Sequence, residues 1–160
     1  MPLPAVFPGP LFRRMEHMSV QGHRPRARGF VDYRLQRRAL LQAVSVGRTS
    51  TTEVCDAHPH LLRAATFHGE PVQRACPVCR RPRLVLLRYV YSDELGQYSG
   101  RLRTGPEVVE MASSHGHLRV FVVEVCRDWG WNHLVASYVV GDGVPRRPPR
   151  RQATVEDEYG

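Results

Sequence analysis

The chain has 160 residues, 42% of them hydrophobic and 24% charged, with a formal net charge of +8 and a sequence pI near 10.0. That is enough length and apolar content for one domain with its own core. No run approaches the roughly 18 apolar residues of a membrane helix, which excludes a helical membrane protein. The Pro-rich start (Met1 to Phe12) lacks the apolar core of a secretory leader, so the 4 Cys are expected as free thiols in a reducing cytoplasm rather than as a disulfide framework.

All the basic charge is arginine. The absence of Lys and Ile, and the single Asn at Asn132, mark a GC-rich coding sequence, so the choice of Arg over Lys is partly genomic. The surplus favours polyanionic partners such as RNA, DNA or an acidic protein surface, although a solvated basic surface would look the same.

Residues 1–29 combine Pro2, Pro4, Pro8, Pro10 and Pro25 with scattered Arg and no periodicity, the composition of a disordered basic extension. Met15 and Met18 are alternative starts within it. Residues 142–160, with Pro145, Pro148 and Pro149 among Arg146, Arg147, Arg150 and Arg151, read as a second disordered tail. A single domain over 30–141 lies between them, helical over 30–70 and sheet-forming over 71–141.

In that domain, Phe30 to Val46 is expected to be a helix whose apolar face carries Val31, Leu35, Ala39, Ala43 and Val46, stopped by Gly47. Ser50-Thr51-Thr52-Glu53 has the form of a capping box opening a short helix through Ala57, and Pro59 suits the first turn of a helix over His60 to His68. Gln73 to Cys76 is read as a short strand. Arg83 to Tyr91 and Leu118 to Val125 are rich in β-formers, with a helix from Pro106 to Ser113 between them. Trp131 to Val140 is expected to pair with Leu118 to Val125 as a hairpin. The fold class is therefore α+β: an N-terminal helical segment packed on a zinc-ribbon-like antiparallel sheet with an inserted helix.

The ribbon reading comes from cysteine spacing. Cys76-Pro77-Val78-Cys79 is a Cys-x-x-Cys turn, and two such turns facing each other supply the four soft donors of a structural zinc site. The second turn is half complete, because Cys126-Arg127-Asp128-Trp129 has Trp where the fourth thiolate belongs. The candidate ligands are Cys76, Cys79, Cys126 and His133, the last being the nearest substitute donor. His58, His60 and Cys55 are further sources from the helical segment, and Cys55 alone also fits a small buried hydrophobe. Trp129 packed over a metal-free site is the competing arrangement.

The rest of the chemistry is sparse. A redox use of Cys76 and Cys79 is open, although a thioredoxin-type motif sits between a strand and a helix and this one precedes a strand. Asp56, His58 and His60 are either a small site or a polar turn. No phosphate loop, nucleophile elbow or His-Glu-x-x-His occurs. The helices around Pro59 imitate a helix-turn-helix, but Leu61, Leu62, Ala64 and Ala65 want burial. Arg34, Arg37 and Arg38 on the first helix and Arg80, Arg81 and Arg83 beside the first turn are the candidate partner-binding residues, with Tyr89, Tyr91 and Tyr98 as neighbouring aromatics.

The chain resembles an uncharacterised family of small actinobacterial proteins. The residues that carry this are Val54-Cys55-Asp56-Ala57-His58-Pro59, Leu61-Leu62-Arg63-Ala64-Ala65, His68-Gly69, Cys76-Pro77-Val78-Cys79, Val123-Glu124-Val125-Cys126 and Trp131-Asn132-His133-Leu134. Val31-Asp32-Tyr33, Arg37-Arg38-Ala39-Leu40-Leu41 and Gly47-Arg48 match its N-terminal part. The resemblance implies a cytosolic protein with a zinc-ribbon-like half and a four-Cys site, from which this chain departs at Trp129. It implies no activity. The expected function is a non-enzymatic binding module contacting RNA, DNA, or an RNA polymerase or ribosome complex. The alternative is a small Cys-dependent redox protein or enzyme.

Overall fold

The computed structural model describes residues 27–148. Most of each expected disordered tail lies outside them. The elements in order are β1 (Arg28–Asp32), α1 (Arg34–Ser45), α2 (Thr51–Val54), α3 (Pro59–His68), β2 (Glu70–Pro71), β3 (Leu84–Tyr91), a 3-10 turn (Asp93–Tyr98), β4 (Arg101–Leu102), α4 (Gly105–Ser114), β5 (Leu118–Cys126) and β6 (Asn132–Val140). All the strands join one antiparallel sheet in the order β1-β6-β5-β3-β2, with β4 also paired to β3. The expected α+β class, the long strands and the inserted helix hold; Gln73 to Cys76 is not a strand, and β2 forms instead just before it.

Both faces of the sheet are buried, and the two-residue period of β5 shows how. Val125 joins Val85, Leu87 and Ala65 in a cluster that takes in Leu61 and Leu62 of α3. Its neighbours in sequence point the other way. Leu118, Val120 and Val122 pack with Val108 and Ala112 of α4, and Cys126 packs with Leu84, Trp131 and Val54 against Leu40, Leu41 and Val44. α3 thus spends its apolar face on the sheet and does not stand free as a recognition helix. Its end comes so close to β3 that a Cβ on Gly69 would lie 2.5 Å from a Val85 methyl.

The N-terminal helix differs from expectation in two ways. Residues 28–32 are a strand along β6, with Gly29 at a φ of 56° beside a register shift and Phe30 stacked on Tyr138 at 6.4 Å. Without β1, the Val-rich β6 would be an open edge, and covering that edge outweighs the helical pattern of the sequence. Asp32 then starts α1 by accepting the Arg34 backbone N–H at 2.9 Å. The second difference is the buried face. Val31, Leu35 and Val46 are exposed, and the helix packs through Leu40, Leu41 and Val44. The expected capping box at Ser50/Glu53 forms, and a second, at Thr104/Glu107, opens α4; α2 ends at Val54 rather than at Ala57.

One charged knot fixes α1 to the sheet. Glu124 of β5 is fully buried, at 0% exposure. Arg37 of α1 and the Trp131 indole N–H (2.9 Å) both reach its Oε1, and Arg74 reaches Oε2 at 3.1 Å. Arg37, expected to face a partner, therefore turns inward, because a buried carboxylate needs a cation more than the surface does. Removing one member of such a buried pair costs about 3 kcal/mol. Glu124→Gln is expected to lower unfolding free energy by about that much in urea titration. The double variant Arg37→Met/Glu124→Leu should lose less than the sum of its single variants.

Candidate metal centre

Leu84 of β3 lies opposite Cys126 of β5, so the turn before β3 and the turn after β5 meet at the same end of the sheet. The two turns are built alike. In the first, Arg80 N–H donates to the Cys76 carbonyl at 3.0 Å and Cys76 N–H to the Arg81 carbonyl at 2.9 Å. In the second, Gly130 N–H donates to the Cys126 carbonyl at 3.0 Å and Cys126 N–H to the Trp131 carbonyl at 2.8 Å. The fifth residue of each has positive φ, 63° at Arg80 and 75° at Gly130. Glycine accepts that conformation freely, whereas Arg80 holds it at a cost. Trp129 occupies in the second turn the place that Cys79 has in the first.

These turns gather Cys76, Cys79 and Cys126, whose sulfurs all lie within 4.8 Å of one another, with Cys79 and Cys126 at 3.7 Å. This is the one group of three or more Cys, His, Asp or Glu donors so placed among the described residues. Cys76 and Cys126 are fully buried. Burial pushes the Cys76 thiol up to about 12, even though the Cys79 and Val78 N–H groups favour its anion. Val78 N–H lies 3.4 Å from the Cys76 sulfur. Burial works against the Cys79 anion too, but there the Arg81 N–H, the hydrogen bonds with the Cys126 and Cys76 sulfurs and the Arg81 charge prevail and lower its pKa. Backbone N–H groups aimed at sulfur, in a pocket that penalises bare thiolates, suit a bound cation that neutralises them. The donor set suits a thiophilic metal: soft thiolates select zinc, copper(I) or iron–sulfur centres over hard cations.

The other expected donors are elsewhere. His133 stands outside the thiol group, opposite Glu124, with its ring stacked on Trp131 at 5.9 Å and its Nδ1 buried without a hydrogen-bond partner. His58 uses its Nδ1 to accept the His60 N–H at 3.3 Å and so caps α3, and the two exposed rings stack on each other. Trp129 is 49% exposed and is not among the side chains packed in the cluster that holds Cys76, Cys79 and Cys126. Cys55 is half-buried and packs against the cluster that holds Cys76 and Cys126. Sequence reasoning missed Glu124 as an anchor, although a lone acid at an inward position of LRVFVVEVC was a visible signal.

Arg80, Arg81 and Arg83 surround the first turn. The Arg81 and Arg83 side chains are 61% and 56% exposed and lie 3.5 Å and 3.9 Å from Asp128 of the second turn. Arg38 is exposed on α1, and Arg34 pairs with Asp32 at 2.5 Å.

The chain is thus an α+β protein with a thiol-rich end formed by paired turns. It belongs to the DUF5318 family, a family of unknown function, whose sequence profile matches residues 24–154. It is similar to uncharacterized protein Rv0049 of Mycobacterium tuberculosis (strain H37Rv) and to uncharacterized protein Mb0050 of Mycobacterium bovis. Each is 52% identical over 120 residues, covering 75% of this chain and 88% of the relative. The resemblance to an uncharacterised actinobacterial family is borne out. No solved structure matches the chain. No helix among the described residues is long and apolar enough to cross a membrane.

Two outcomes are expected at this site. In chelator-treated protein, iodoacetamide mapped by peptide mass spectrometry labels Cys79 well before Cys76, because a lowered thiol pKa and partial exposure favour attack. Trp129→Ala changes the unfolding free energy by no more than about 0.5 kcal/mol, since the ring closes no core.

Proposed function

We propose that the chain is a cytoplasmic, non-enzymatic binding module of zinc-ribbon-like design. In this reading, a structural zinc ties the two turns together and the Arg-bearing rim beside them contacts a polyanionic partner. The observation that carries it is the convergence of Cys76, Cys79 and Cys126 from two turns with the same hydrogen bonding. Zinc matches thiolates in paired turns of this kind, and two of the three sulfurs are sealed from solvent, which suits a structural role better than a catalytic one. A reducing compartment would keep the thiols available.

Arg80, Arg81 and Arg83 are the surface half of the proposal. Arginine forks suit phosphate, and the exposed Trp129 ring on the neighbouring turn suits an unstacked base. RNA or DNA, free or within a transcription or translation complex, fits that chemistry. Asp128 tempers the patch but leaves a surplus of cations.

Protein purified without chelator is expected to carry about one zinc per chain by elemental analysis. Zinc removal, or Cys76→Ser, should lower the melting temperature by several degrees or more, because binding energy at such a site is folding energy. If removal leaves the melting curve unchanged, the metal has no structural role. Arg81→Ala/Arg83→Ala should flatten the dependence of RNA affinity on log salt by roughly one to two.

The redox alternative has one observation in its favour, the lowered Cys79 thiol 3.7 Å from the Cys126 sulfur. It requires a Cys79 disulfide, with Cys76 or Cys126, that cycles at cytosolic potentials. Thiol titration in glutathione buffers tests it.

A further inference from the structure

Three thiols leave a structural zinc site one donor short, because such sites are almost always four-coordinate. We propose that Cys55 is the fourth ligand, in place of the substituted Trp129 and instead of His133. This rests on the metal reading above and names the residue that completes the site.

Cys55 follows α2 directly, and its segment is fastened to the second turn. Ala57 N–H donates to the Gly130 carbonyl at 3.0 Å, and Asn132 Nδ2 donates to Asp56 at 3.0 Å. The backbones meet so closely that a Cβ on Gly130 would lie 3.1 Å from the Cys55 carbonyl oxygen. Gly130 therefore serves the turn twice, by its positive φ and by leaving room for Cys55. The Cys55 side chain packs in the same cluster as Cys76, Cys79 and Cys126.

The competing donors are placed elsewhere. His58 caps α3 through its Nδ1, and His133 stands outside the thiol group with its ring stacked on Trp131. The Cys55 sulfur lies outside the mutual 4.8 Å of the other three, so it must swing inward on binding. A change of its single side-chain torsion moves a sulfur by a few ångströms. The tetrathiolate would then take one ligand from the helical segment and three from the sheet turns, so metal would hold the two parts of the fold together.

X-ray absorption at the zinc edge of the wild-type protein tests this directly. The expected result is a shell of four sulfurs at about 2.3 Å. Cys55→Ser should convert it to three sulfurs and a lighter atom nearer 2.0–2.1 Å and weaken zinc affinity by roughly a hundredfold, whereas His133→Ala leaves four sulfurs. A wild-type shell of three sulfurs and one nitrogen, lost in His133→Ala, would overturn the assignment while leaving the metal centre intact. Failure of the wild-type protein to bind zinc at all would remove the metal centre itself. The wild-type spectrum decides the matter even where Cys55→Ser does not fold.

Discussion

The pairing of β3 with β5 is the constraint on which the rest depends. With Leu84 opposite Cys126, two turns separated by 46 residues of chain open at the same end of the sheet. A slip of one residue would invert the faces of the strand and send Leu84 away from the cluster that holds Cys76 and Trp131. Eight consecutive cross-strand partners between β3 and β5 resist that slip. The thiol end is therefore a product of sheet register before it is a product of metal chemistry.

Glu124 extends the same logic along β5. It lies two residues before Cys126 on the same side of the strand, and it draws in Arg37 from α1 and Arg74 from the approach to the first turn. A fully buried carboxylate contributes little net stability compared with an apolar replacement, but it is unforgiving of misplacement. It specifies which part of α1 meets the sheet. That explains why the helix rests on Leu40, Leu41 and Val44 and leaves Leu35, the more obvious apolar candidate, 73% exposed.

Much of this was legible in the residues alone. The strands read over 83–91, 118–125 and 131–140 follow from dense Val, Leu and Tyr, and the cap at Ser50 is local chemistry that tertiary contacts do not override. The meeting of Cys76, Cys79 and Cys126 was legible because turn spacing and flanking strands carry the geometry. What could not be read was anything set by distant partners. Residues 28–32 become a strand only because β6 needs a neighbour, and the direction of Arg37 depends on an acid 87 positions away. His133 looked available because spacing along the chain does not show whether its ring meets the thiols or stacks on Trp131, and nothing nearby in sequence shows that Cys55, read as a ligand source or a small buried hydrophobe, abuts Gly130.

The ribbon β1 has a consequence for how the chain behaves in company. It is five residues long, mostly exposed, and joined to the sheet through β6. Peeling it away would bare the main-chain donors and acceptors of β6 along Ala136 to Val139. Such a rim invites a second molecule to add its own strand, so the short, exposed edge strand guards the fold against sticking to itself.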